Sequence, residues 1–179
     1  MKNLLLIALF AVSSHVYASA PTPYAGQETR DIKALSANEI SSLLAGRGMG
    51  FAKAAELNGF PGPAHVLELS KRLGLTEAQK EQTSALFETM DVAAKQKGAE
   101  LVAAERDLDL LFKSKQITPE SLSKQLQRVA GLQAQVREVH LVAHLEQVKL
   151  LTVEQVAKYN ELRGYTGANQ HEHMHGGKH

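Results

Sequence analysis

The chain contains no cysteine and no tryptophan. Without cysteine there are no disulfide staples, no thiolate metal site and no cysteine nucleophile. Aromatic residues make up 5 % of the chain, thin provision for a carbohydrate or cofactor pocket. Excess charge is missing too: Lys plus Arg number 20 against 19 Asp plus Glu, so no basic field gathers nucleic acid. The one long apolar run, at 4–12, is too short to span a bilayer and nothing like it follows, so no transmembrane anchor is expected.

That run follows Lys2 and precedes small residues at 13–20, the layout of a secretory signal peptide over 1–20. Cleavage after Ala18 or after Ala20 fits. An exported mature protein of about 160 residues is expected, enough for one domain with a modest core. Residues 21–35 read as a flexible arm, 36–165 as a single helical domain and 166–179 as an unfolded histidine-rich tail.

Ala, Leu, Gln, Glu and Lys dominate, a mixture that favours long helices. Ser36 with Glu39 has the form of a capping box opening a short helix to about Ala45. "GRGMG" at 46–50 breaks it, a second short helix fits 51–57, and Pro63 suits a first helical position leading to a helix that Gly74 stops. From Glu77 to about Lys115 apolar or small residues recur at Leu86, Met90, Ala93, Leu101, Ala104, Leu108 and Leu111, one face of a helix that Gly98 weakens. "SKQITPES" makes a turn, Thr118 caps, and Leu122, Leu126, Val129, Leu132, Val136, Val139 and Ala143 continue the spacing to about Leu150. A last helix runs from Val153 to near Arg163, stopped by Gly164. No strand signal occurs. The expected fold is all-α: a long antiparallel helical hairpin with shorter flanking helices.

One phrase recurs, "LTEAQ" at 75–79 and "LTVEQ" at 151–155. Thr76 and Thr152 are good N-caps, Gln79 and Gln155 stand where the reciprocal capping bond is made, and Leu75 and Leu151 precede the caps as hydrophobic staples. Two copies of L-T-x-x-Q behind a signal peptide, in a helical chain without cysteine, resemble the Spy/CpxP family of periplasmic proteins, which includes the metal-responsive ZraP and CnrX-type relatives. "LGLTEAQKEQ" lies especially close to the family's first repeat. The resemblance spans about 63–163. It implies a hooked hairpin that dimerises into a cradle, a periplasmic location, and an ATP-independent chaperone or envelope-stress protein that binds unfolded or misfolded clients. A sensor kinase or other envelope signalling protein is a further partner class. The stretch 43–63 has no counterpart among the best-known members.

Histidines offer a second chemistry, with Zn, Cu or Ni as the expected metal. His140 and His144 are spaced i, i+4, so both imidazoles lie on one flank of a helix; His65 and Glu68 are candidate third ligands if their helix packs alongside. In the tail, His171, His173, His175 and His179 alternate with Glu172 and Met174, a high local imidazole concentration. These residues define the alternative function, a periplasmic heavy-metal sensor or buffer. Catalysis has no support: serines lack a nucleophile-elbow context, acids do not converge, and H-x-x-x-H lacks the Glu after its first His that zincins need.

Overall fold

A computed structural model describes residues 22–165; the signal peptide expected at 1–20 and the histidine tail lie outside the described residues. Among those described the order is α1 Ala37–Leu44, α2 Lys53–Glu56, α3 Pro63–Glu68, α4 Ser70–Leu73, α5 Glu77–Lys113, α6 Pro119–Lys149 and α7 Val153–Arg163, with no strand. The all-α class and the long helix pair are as the sequence predicts.

Each major helix starts where its capping chemistry dictates. Ser36, Thr76, Thr118 and Thr152 all sit in extended backbone as N-caps, and each hydroxyl accepts from the amide three residues on. Gly74 and Gly164 close α4 and α7 in the left-handed region, where a Cβ is unfavourable. The helix expected from His65 to Leu73 is split at Leu69, whose backbone leaves helical geometry (ψ 7°) between α3 and α4.

At ~1.5 Å per residue the 37 residues of α5 extend about 55 Å. α6 returns antiparallel beside it. Gln147 Nε2 donates to Thr83 Oγ1 (3.2 Å) and Gln125 Nε2 donates to the Ala104 carbonyl (2.6 Å), contacts that fix the register along the hairpin. The main apolar cluster joins Leu101, Val102 and Ala104 of α5, Val129, Leu132 and Val136 of α6, Leu43 of α1 and Ile32.

Two expectations need correction. Residues 21–35 are not free along their whole length: Ile32 is fully buried, Lys33 N–H donates to Asp109 Oδ1 (3.1 Å), and Asp31 pairs with Arg106. One isoleucine in the core pins the second half of the arm. On α5, the predicted face is off-centre. Leu101 and Ala104 are buried as expected, but Leu86, Met90, Ala93, Leu108 and Leu111 are only half-buried, while Thr83, Ala94, Gly98, Val102 and Glu105 complete the packed face. The reason is α1, which crosses α5 at small residues. A Cβ on Gly98 would lie 2.1 Å from the Leu43 carbonyl oxygen, so Gly98 serves close approach rather than weakening the helix, which runs unbroken through it.

Candidate functional site

The two L-T-x-x-Q segments meet at the open end of the hairpin. Gln79 Oε1 accepts the Thr76 amide (3.0 Å) and Gln155 Oε1 accepts the Thr152 amide (3.0 Å), closing both capping boxes. The side-chain amides then exchange hydrogen bonds: Gln79 Nε2 donates to Gln155 Oε1 (2.8 Å) and Gln155 Nε2 to Gln79 Oε1 (3.1 Å). Gln79 Nε2 also donates to the Leu150 carbonyl at the end of α6 (2.9 Å). Because each Oε1 must face a cap amide, each NH2 is turned toward the other glutamine. The repeat is thus a two-part clasp. Leu75 and Leu151 join a second apolar cluster with Val66, Leu73 and Tyr159, the residue that anchors α7.

A cavity of about 450 Å³ lies between the 45–65 segment and the hairpin. "GRGMG" forms its rim. Gly46 and Gly50 adopt positive φ, and so does Met49 (φ 43°), a conformation that side chains other than glycine adopt at a cost. α5 contributes Phe87, Met90 and Asp91, α6 contributes His140 and His144, and Pro63, Ala64 and His65 supply the opposite edge. The segment between α1 and α3 therefore builds one wall.

His140 and His144 lie on one side of α6 and are buried, 4 % and 8 % exposed. His144 Nδ1 stands 2.7 Å from the Phe60 carbonyl, to which only an N–H can donate, so Nδ1 carries a proton. Gly62 makes room for this ring: a Cβ there would lie 2.8 Å from His144 Cε1. His140 Nε2 has no hydrogen-bond partner. Burial, reinforced by the neighbouring His144, holds the His140 imidazole below its ordinary pKa and keeps it neutral near pH 7.

His65 lines the cavity, but its Nδ1 is engaged by Glu68 (3.0 Å), whose carboxylate faces outward and is no part of the lining. Of the predicted set, His140, His144 and His65 line one cavity and Glu68 does not, and no group of three or more His, Asp or Glu side chains among the described residues is arranged to hold a metal ion. The tail set His171, His173, His175 and His179 lies outside the described residues.

Sequence reasoning missed Glu56. Its Oε1 accepts from Tyr159 (2.5 Å) and Tyr165 (3.1 Å) and lies 3.5 Å from Arg163 Nε, while Oε2 sits 3.7 Å from His144 Nδ1. Burial and this carboxylate push the Tyr159 hydroxyl far above the usual phenol range. Nothing in a four-residue helix announces such a hub. Met49, Met90 and Gly62 were also missed as cavity residues, since their partners come from distant segments.

Comparison with family models, with curated proteins and with solved structures yields no match for this chain.

Proposed function

We propose that this protein is a non-enzymatic binding protein that holds partly unfolded clients on its helical surface without ATP, in the manner of the Spy/CpxP family, in the periplasm and as a homodimer. The observation that carries the reading is a set of exposed apolar side chains spread along the hairpin. Val92, Leu110 and Phe112 of α5 and Leu126, Val142 and Leu145 of α6 expose between 46 % and 66 % of their surface. Charged side chains such as Lys95, Lys113, Lys124 and Arg128 stand on the same helices. Scattered apolar contacts among charges suit weak, adaptable holding of many sequences. The clasp of two L-T-x-x-Q segments supports the family reading independently of that surface. No helix of the described residues is long and apolar enough to cross a membrane. The deciding experiment is light scattering of an aggregating client with stoichiometric purified protein: suppression is expected, and none at any ratio overturns the holdase reading.

A second reading, metal sensing or buffering toward a signalling partner, is favoured by one observation: His140 and His144 share a cavity, and His140 Nε2 is buried without a partner. Zn, Cu or Ni suits imidazole. Replacing both histidines abolishes metal-dependent behaviour under this reading and leaves client protection intact under the first.

A further inference from the structure

Glu105 of α5 is a charge that the packing leaves uncompensated. It is 7 % exposed, and among the described residues its carboxylate has neither a hydrogen-bond donor nor a cation beside it. Burial alone raises its pKa above the ordinary carboxylate value. Its oxygens are not shut off from solvent. They open into a second cavity, of about 510 Å³, that Glu105 lines together with residues of α1 and α6. Leu43, Phe51 and Leu101 give this cavity apolar walls, and the small side chain of Ala134 leaves it room. Two other charges border it. Glu39, in the capping box of α1, is negative as well. Arg137 stands at the far end: Gln125 contacts Ala104, so Arg137 lies twelve residues (137 − 125) farther along α6, about 18 Å at the helical rise.

We infer that this cavity is a binding site for a small aliphatic primary amine, its ammonium group on the Glu105 carboxylate and its hydrocarbon chain against Leu43, Phe51 and Leu101. The site is independent of both client holding and metal binding. An ammonium group supplies what Glu105 lacks, a positive charge with three donors, in surroundings where an unpaired carboxylate is unfavourable. The volume is that of a pocket for a small molecule, with mostly apolar walls and few polar groups to orient it. Other ligand classes fit less well. Calcium and magnesium need several oxygen ligands, and the second acid is already engaged: Glu39 Oε2 accepts the Ser36 amide (2.8 Å) and hydroxyl (2.6 Å). An anionic amphiphile meets two carboxylates, and a neutral one leaves Glu105 without a partner. Binding is a charge-assisted hydrogen bond plus apolar contact, with no covalent bond made or broken.

The probe is n-octylamine, protonated at neutral pH as a lysine amine is. It is titrated calorimetrically into the full chain beside octan-1-ol and octanoate, which carry hydrocarbon of similar length. Octylamine is expected to bind at least about tenfold more tightly than octanol, the scale of a hydrogen bond to a charged group, and octanoate more weakly than either. Glu105→Gln keeps the shape of the side chain and removes its charge, so its thermal midpoint by circular dichroism is expected to be unchanged or higher. In that variant the advantage of octylamine should shrink to about twofold or less, with octanol binding unaltered. Ala134→Leu, on an exposed position of α6, fills part of the cavity and should weaken both ligands. Equal octylamine affinity in the wild-type and Glu105→Gln chains, or no octylamine binding, overturns the site. The peptide acetyl-Ala-Leu-Lys-Leu-Ala-amide offers the same ammonium on a polypeptide; if it binds through Glu105 and octylamine does not, the small-ligand assignment fails. Loss of a dimer in Glu105→Gln by analytical ultracentrifugation, without octylamine binding to the wild type, gives the groove to a second copy and overturns it equally.

Discussion

Gly98 and His140 show how single residues set this structure. A methyl group on Gly98 would collide with backbone, the Leu43 carbonyl at 2.1 Å, and not with a flexible side chain that could swing away. Gly98→Ala should therefore destabilise the protein by more than about 2 kcal/mol in urea unfolding, although alanine is the better helix former. At His140, burial favours the neutral ring, so its folded pKa lies below the unfolded one. The unfolded chain then binds the extra proton more readily, and stability falls as pH drops below about 6.5, the unfolded value, toward the folded one. His140→Gln should flatten that part of the thermal midpoint against pH; an unchanged slope would remove His140 as its source. At this scale the sequence was least legible. The i, i+4 spacing located both histidines on one side of α6, but His144 is covered by Phe60 and Gly62 and His140 lies against Gly48, all from a segment with no periodic signal.

At the scale of elements, helix starts were the most readable feature, because a cap is decided by residues three positions apart. Ser36, Thr76, Thr118 and Thr152 each cap as their local sequence dictates. What local sequence cannot encode is that two of these caps are each other's partners. Gln79 and Gln155 serve their own helix starts and one another in the same bonds. Gln79→Ala or Gln155→Ala should each cost about 1 kcal/mol or more, and the double variant should cost less than the two together, with a coupling of at least about 0.5 kcal/mol in a double-mutant cycle. Strict additivity would mean that the amides do not cooperate. Helix faces were read less well than helix starts. On α6 the buried row includes His140, His144 and Gln147 beside the apolar positions, and on α5 it passes through Thr83, Gly98 and Glu105. A pattern search keyed to large apolar residues passes over the small and polar ones through which helices approach most closely.

At the scale of the whole molecule, apolar material among the described residues is divided between two buried clusters and an exposed share, part of it on the hairpin. If that exposed share is the working surface, it can be altered without harming the fold. Leu110→Ser with Phe112→Ser should leave stability within about 0.5 kcal/mol per site and reduce protection of an aggregating client in the scattering assay. Undiminished protection would move the client surface elsewhere.

The hairpin's geometry also dictates an order of assembly. The turn at 114–118 joins neighbours in sequence, whereas Gln79 and Gln155 must find each other across a chain segment of 76 positions. Closing so long a loop is entropically dearer than closing a short one, so pairing that begins at the turn and zips toward the free ends is favoured. The glutamine junction then becomes the last seam to seal on folding and the first to part on heating.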